Sequence, residues 1–445
     1  MLSIDLLKIP PFVNIATKKS RENSFIVRTL DPGFISNQDI SNRIFRSIIS
    51  DGSDNIISIA PAKSLPNDDF LNVNFSNFSG KIISDSIKAE EIIEGTMINL
   101  FYIKSAGKWE IATKKSVGGN YHFFRNQYFP DLAEEQKTFL QMFLDGFNNQ
   151  PKTLDGFANP NKTLDECIDA IPGFDKSFCY SLVLQHPANH IVVPAIKPAI
   201  YLVHSCRILS DHTGNSAYKY VEPDRELFKN TCVQFPRRYI ESFAIDNSME
   251  VSRNIYDDPT EFQNLFDNIR KTIENPLNLH MIPGIMVTHL ETGFRTSFMN
   301  AKYEEIKILR GNNPNLHYQY LVLRKIDKAA LFLRYFPQYK TYFDRFETHF
   351  MAFATRIHQL YINVHVLKIN TVADITDKRD KYHVEKLHYE RYLPMIKASK
   401  DLKASKASND ASVPLKPKIT RKIVIEYLDS ENVMVPLGTY ENPLV

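Results

Sequence analysis

The sequence is poor in cysteine: Cys167, Cys179, Cys206 and Cys232 are its four in 445 residues, and none stand at Cys-x-x-Cys spacing. This excludes a disulfide framework and a zinc-finger scaffold and fits a reducing, intracellular compartment. Long apolar runs are missing too. No stretch approaches the ~18 consecutive apolar residues that a membrane-spanning helix needs, so no membrane partner is expected. The opening MLSIDLLKIPPF lacks the basic start of a secretory signal, and a soluble, cytoplasmic protein is the expectation. Excess charge of one sign is absent from most of the chain. The formal net charge is +3, but residues 397–422 alone hold Lys397, Lys400, Lys403, Lys406, Lys416, Lys418, Arg421 and Lys422 against Asp401 and Asp410, a net +6 that leaves the remainder at −3. Overall basicity is therefore no argument for nucleic-acid binding.

What is present is globular: 43% hydrophobic residues, in a length that accommodates two or three domains at roughly 150 residues each. Residues 1–80 alternate β-branched runs with turns. Ser24-Phe25-Ile26-Val27-Arg28 reads as a strand, and Asp51-Gly52-Ser53-Asp54 joins Arg46-Ser47-Ile48-Ile49-Ser50 to Asn55-Ile56-Ile57-Ser58-Ile59-Ala60 as a hairpin. Residues 81–300 continue as sheet with a helix over 131–147 and a loop over 148–162. A strand over 178–184, two short strands over 190–203 broken at Pro194 and Pro198, and a hairpin turning at Glu291-Thr292-Gly293 follow.

The period then changes. Phe343, Phe346, Phe350, Phe353, Ile357, Leu360, Val364 and Leu367 alternate spacings of three and four, the apolar stripe of one long helix, so residues 301–395 form a helical domain. Segment 396–421, with its repeated Lys-Ala-Ser, reads as a basic disordered linker, either a solvated spacer or a weak polyanion-binding arm. Residues 422–445 read as a short C-terminal β segment, from Lys422-Ile423-Val424-Ile425-Glu426-Tyr427.

Residues 90–124 organise the chain. An acidic, glycine-marked entry, Glu94-Gly95-Thr96, leads into a hairpin of residues 92–102 and 109–113, which leaves through the basic Thr113-Lys114-Lys115-Ser116. The order of segments around it, from Arg46-Ser47-Ile48-Ile49 and Ala60-Pro61-Ala62-Lys63-Ser64 through this hairpin to Pro187-Ala188-Asn189-His190-Ile191-Val192 and the Gly284 hairpin, resembles the adenylyltransferase domain of ATP-dependent RNA ligases. The nearest likeness is to phage-type enzymes and to RNA-ligase-like proteins of large DNA viruses. It implies an α+β fold, an antiparallel-sheet nucleotidyltransferase domain followed by a helical domain.

That family joins RNA ends through a lysine, in a Lys-x-Asp-Gly motif, that attacks the α-phosphate of ATP while cations hold the leaving pyrophosphate. Here Ile92 stands at the lysine position of Ile92-Ile93-Glu94-Gly95. Lys88, the nearest upstream amine, is roughly 13 Å away along an extended strand. Val183, or Ser181 in a shifted register, replaces an acid, as does Pro283 before Gly284, and Ser297 and Met299 replace a Lys-x-Lys pair. The resemblance thus implies a degenerate viral protein, catalytically inactive and retained for binding RNA or nucleotide or for interaction with other viral proteins, in host cytoplasm or virion. The residues it carries over for nucleotide or RNA binding are Arg46, Lys63, Glu94, Gly95, Thr96, Thr113, Lys114 and Lys115. No cofactor is expected of an inactive protein; ATP and Mg²⁺ belong to the alternative, an active ligase using Lys88, Lys63 or Lys114. A structural virion-associated protein without ligand is a third reading.

Plainer readings stand beside these. Glu94-Gly95-Thr96 also fits a hairpin with a solvated acid, Lys114-Lys115 an exposed charge pair, and Arg46 and Lys63 surface charges. His186 and His190 have metal-ligand spacing, but Pro187 between them excludes the helix it would need.

Overall fold

The computed structural model describes residues 2–4, 6, 9–20, 23–30, 40–70, 82–83, 87–121, 137–148, 162–189, 191–210, 216–238, 255–256, 271, 282–311, 315–405 and 417–431. These fall into two compact units, one within residues 1–307 and the other within 308–445.

The first unit is built on a seven-stranded sheet whose middle strand is Phe178–Gln185. Strands buried on both faces read as nearly continuous apolar runs, as this FCYSLVLQ does. Ala199–Ser210 and Thr96–Ile103 flank it, followed by Ser216–Tyr220 and Leu2–Ile4 on one side and Lys108–Ala112 on the other. On one face Trp109, Leu182, Leu184, Ile200 and Leu202 pack against helices Phe139–Asn148 and Leu164–Asp169. The Trp109 indole donates to Asp169 at 2.8 Å, tying the shorter helix to the sheet. On the opposite face Phe101, Cys179, Cys206 and Tyr218 meet a four-stranded sheet of Val13–Ser20, Asn23–Leu30, Ile48–Ser50 and Ile56–Ile59. Burying each large side chain in these layers contributes about 1.5–3 kcal/mol.

Three expectations change here. The large sheet is not wholly antiparallel, because the chain reverses again after Ser216–Tyr220 and lays Val233–Gln234 parallel to Ala199–Ser210. The two short strands expected over 190–203 are an irregular loop over 191–198 and one long strand from Ala199, since Pro194 and Pro198 have no N–H to give a ladder. The helix expected over 131–147 is described from Phe139, and 131–136 lie outside the described residues. It buries Phe139, Met142, Phe143 and Phe147, the four residues that define its apolar face.

A three-stranded sheet, in the order Arg295–Met299, Gly284–His289 and Ile87–Glu91, completes the site region. Ile92 to Gly95 lie in neither sheet; they are the loop by which the chain leaves this sheet at Glu91 and enters the seven-stranded one at Thr96. The organising hairpin is therefore Thr96–Ile103 with Lys108–Ala112.

In the second unit all described secondary structure is helical. Lys340–Tyr361 buries Phe343, Phe346, Phe350, Phe353 and Ile357, but a π-helical turn, Ile362–Val366, ends the expected stripe. The wider turn rotates later residues off the buried face, leaving Leu367 exposed. The expected linker at 396–421 is in part the helix Leu393–Ser405; its Ala, Lys and Leu are good helix formers, and 406–416 lie outside the described residues. The expected β segment is the helix Arg421–Ser430, capped by Thr420. Val424, Tyr427 and Leu428, at helical spacing, are buried, and the Tyr427 hydroxyl meets His383 at 2.9 Å. Packing overrides the β-propensity of Ile423-Val424-Ile425. Residues 432–445 lie outside the described residues.

Candidate functional site

The loop from Ile92 to Gly95 is fixed by contacts to three separate segments. The Ile92 amide donates to the Gly284 carbonyl at 2.9 Å. The Glu94 carboxylate is buried and accepts from three successive backbone amides, with Oε1 at 3.1 Å from Ile191 N, 2.8 Å from Val192 N and 3.0 Å from Val193 N. Its own carbonyl accepts from the Gln185 side chain, and the Thr96 hydroxyl accepts from Asn189 Nδ2 at 2.9 Å. Gly95 has φ +155°, and a Cβ there would stand 2.3 Å from the Leu184 carbonyl oxygen and 2.7 Å from Val183 Cγ1. Only glycine lets the loop lie this close to the strand. In this conformation the Glu94 carboxylate is a clamp on the 191–193 loop.

Beside this loop is a half-open cavity of ≈ 410 Å³, lined among others by Glu91, Ile92, Gln185, Tyr201, Arg237 and Pro283. Ile92 and Pro283, two of the positions where the resemblance calls for charge, thus line the same space, and Val183 touches the glycine beside it. Burial pushes the Glu91 carboxyl up, opposed by Arg237, and burial with Glu91 pushes the Tyr201 hydroxyl up. A carboxyl, a guanidinium, a phenol and an amide line the cavity. Ile92 contributes only an aliphatic side chain to it, which has no lone pair to act as a nucleophile.

Register assigns the other replaced positions. Residues paired directly across an antiparallel sheet share a face, and alternate residues along a strand do also. Gly284 pairs with Met299, Met286 with both Glu90 and Ser297, and Thr288 with both Lys88 and Arg295. Ser297, Met299 and Arg295 therefore share one face with Lys88 and Glu90. The Lys88 ammonium lies 3.0 Å from Glu90 and 3.1 Å from Glu222, and Arg225 and Arg238 close the network around the same two acids. The Lys88 amine is thus engaged by two carboxylates and does not point into open space.

Arg46 and Lys63 are brought together. Arg46 ends a short 3₁₀ helix, Ile40–Arg46, which also carries Arg43, and the Lys63 amide donates to the Arg43 carbonyl at 3.1 Å. Burial and the neighbouring Arg43 and Arg46 push the Lys63 amine down. Arg295 belongs to the same cluster: burial and Arg46 push its guanidinium down to about 10, against the opposing pull of Tyr218 and Tyr220. Arg43 donates to the Ser64 carbonyl at 2.7 Å and Arg295 to the Ala62 carbonyl at 2.9 Å, while the buried Nε atoms of both lack a partner among the described residues. Arg46 and Lys63 form no ion pair among the described residues. Arg43 and Arg295 were not singled out from sequence. Arg295 had a signal, its place two and four residues before Ser297 and Met299 on one strand face.

Thr113, Lys114 and Lys115 are not part of this cluster. They form a turn closed by the Thr113 amide on the Ser116 carbonyl at 2.9 Å, with the Thr113 hydroxyl on Tyr121. That turn lies by Ser20, whose hydroxyl donates to Glu110, whereas Arg46 leads into the strand paired with Arg28. Along the four-stranded sheet these are opposite ends, on the order of 20 Å apart by strand rise. His186 has both ring nitrogens engaged, by the Ala188 amide and Asp145; His190 lies outside the described residues. Among the described residues no group of three or more His, Cys, Asp or Glu could hold a metal ion, and no helix is long and apolar enough to cross a membrane.

No protein-family profile and no curated protein matches the sequence. Among solved structures, an archaeal ATP-dependent RNA ligase (form 1) aligns over 89% of this chain and 78% of its own, at 11% identity and a TM-score of 0.34. A likeness at that level assigns no residue to a role.

Proposed function

We propose that this is a degenerate nucleotidyltransferase-like protein that binds a phosphate-bearing ligand, a nucleotide or an RNA backbone, and transfers no adenylyl group. The observation that carries it is the cluster of Arg43, Arg46, Lys63 and Arg295, gathered round the 60–64 segment, where burial pushes all four groups down and neighbouring arginines push Lys63 and Arg295 down further, with Asp69 opposing at Arg43. Like charges gathered this closely oppose folding, and an anion that settles among them turns the repulsion into attraction. Chemistry is a separate matter, since Ile92 supplies no amine and the face that would hold a leaving pyrophosphate presents Ser297 and Met299.

Binding of ATP and of single-stranded RNA across a salt series tests the reading. Arg46→Ala and Lys63→Ala should each weaken binding, and for RNA each should flatten the salt dependence by about 0.7 in log–log slope. Unchanged affinity in both variants would sink it. One observation favours the second reading, an active ligase on a displaced lysine: burial with Arg43 and Arg46 pushes Lys63 towards its neutral form, while Lys88 is ion-paired. Incubation with labelled ATP and Mg²⁺ separates the two, because an alkali-stable, acid-labile adenylyl adduct that disappears in Lys63→Ala would establish the enzyme.

A further inference from the structure

Cys179 and Cys206 stand directly opposite each other on the antiparallel strands Phe178–Gln185 and Ala199–Ser210. Both are buried free thiols within hydrogen-bonding reach of one another. Their surroundings are specific. Cys179 Sγ donates to the Ile57 carbonyl at 3.3 Å, and Cys206 Sγ lies 4.0 Å from the Ile59 carbonyl. Ile56–Ile59 is the edge strand of the four-stranded sheet. Carbonyls two residues apart on an edge point the same way, so the two thiols meet a backbone edge that has no neighbouring strand.

That edge strand runs straight into the cation cluster. Immediately beyond it the Ala60 amide donates to the Ser47 carbonyl, the Ala62 carbonyl accepts from Arg295, and the Lys63 amide donates to the Arg43 carbonyl. What holds Ile57 and Ile59 therefore also sets where Lys63 and Arg295 stand.

We propose that Cys179 and Cys206 are a redox couple, and that their oxidation to a cross-strand disulfide releases the Ile56–Ile59 edge and loosens the cation cluster it leads into. The second half rests on the phosphate-binding reading above. Directly opposed residues have Cα atoms about 4.5–5.5 Å apart, inside the range a disulfide spans. The step forms one S–S bond, breaks two S–H bonds, releases two protons and passes two electrons to an oxidant of the peroxide or small-disulfide class, which leaves as water or as two thiols. Both S–H donors are consumed, so neither the Ile57 nor the Ile59 carbonyl retains its sulfur partner. The hydrogen bond with Cys179, together with burial, pushes the Cys206 thiol well above its ordinary range, so the exchange is slow and proceeds through local opening.

The test uses the full chain carrying Cys167→Ser and Cys232→Ser, so that only the pair remains, treated with oxidised glutathione or hydrogen peroxide. Expected are the loss of two hydrogens in intact mass, a Cys179–Cys206 cross-linked peptide, a shifted thermal midpoint, and an ATP affinity roughly tenfold lower that a reductant restores, the equivalent of one lost charge-assisted contact. Two free thiols persisting after exhaustive oxidation, in this variant and in the unsubstituted chain, would overturn the couple. A disulfide that forms without change in thermal midpoint or affinity would overturn the release of the edge. If the reduced protein binds no ATP, the phosphate-binding reading fails, and peptide mapping with the thermal midpoint still decides the couple.

Discussion

Replacing Glu94 by alanine tests whether this acid is a clamp or a ligand contact. The carboxylate is 6% exposed and accepts amides from Ile191, Val192 and Val193. Hydrogen bonds to a charged acceptor are worth about 1.5–3 kcal/mol each, and a buried donor left without a partner costs about 1–3 kcal/mol. Val192 is buried, while Ile191 and Val193 are half-buried, so water can satisfy those two amides in part. Counting Val192 in full and the others at the low end gives a loss of about 3–5 kcal/mol.

Glu94→Gln keeps one acceptor oxygen but turns an amide NH₂ towards N–H donors, and should lose about half as much. Urea unfolding followed by the fluorescence of Trp109, the single tryptophan, reports on the sheet concerned, because Trp109 lies in the core of the seven-stranded sheet. An alanine variant within about 1 kcal/mol of the parent would refute the clamp and return Glu94 to the candidates for ligand contact.

Gly95→Ala should destabilise the same unit by more than about 3 kcal/mol, since its Cβ would meet backbone at 2.3 Å, whereas Gly52→Ala, with nothing within 4 Å, should be silent in the same unfolding assay. The helical unit should lose stability in acid. Burial pushes His317 and His383 down to about 4, so the unfolded chain takes protons first; stability is complete above pH ~6.5 and falls as pH drops towards 4. Helical circular dichroism under urea across that window should show it, with a shallower slope in His383→Phe. Ile92→Lys alone should not create an adenylyl adduct with labelled ATP, because Val183, Pro283, Ser297 and Met299 remain uncharged.

The sequence made the sheet-forming runs legible and the helical ends illegible, for different physical reasons. Phe178–Gln185 and the Asp51 turn follow local rules, a continuous apolar run and turn chemistry, and those survive in the structure. Arg421–Ser430 follows a rule that tertiary contacts decide: Ile423-Val424-Ile425 is β-prone in isolation, but Tyr427 and Leu428 have a helical neighbour to bury against. The Lys-Ala-Ser segment misled in the opposite way, since low hydrophobicity argued for disorder where residues up to Ser405 have the propensity to extend the preceding helix. At the site, Arg46 and Lys63 were legible as charges but not as neighbours. Their meeting depends on Ile40–Arg46 folding over the start of Ile48–Ser50, and nothing in local periodicity encodes that. Arg43 and Arg295 were hidden for the same reason, and the partners of Glu94 lie about a hundred residues away in a proline-bounded loop.

One sheet face shows how charge and burial are distributed beside the candidate site. Its rows grade in charge: Gly284 with Met299, to which Ile92 is tied from the loop by its amide, has none, Glu90 with Met286 and Ser297 has one acid, and Lys88 with Thr288 and Arg295 has two cations. Burial grades with it, from Met299 at 38% exposed to Arg295 at 7%. The open end of the face, at Met299, is uncharged. The cations that remain are at the closed end, where their desolvation is offset by backbone carbonyls and tyrosines that serve the fold as well. Truncating Arg295 would leave the Ala62 carbonyl without this donor, while exchanging the exposed Met299 would cost the fold little. Charges that also hold the sheet together are kept by the fold itself, so under the proposed reading the binding cluster and the structural core are the same residues.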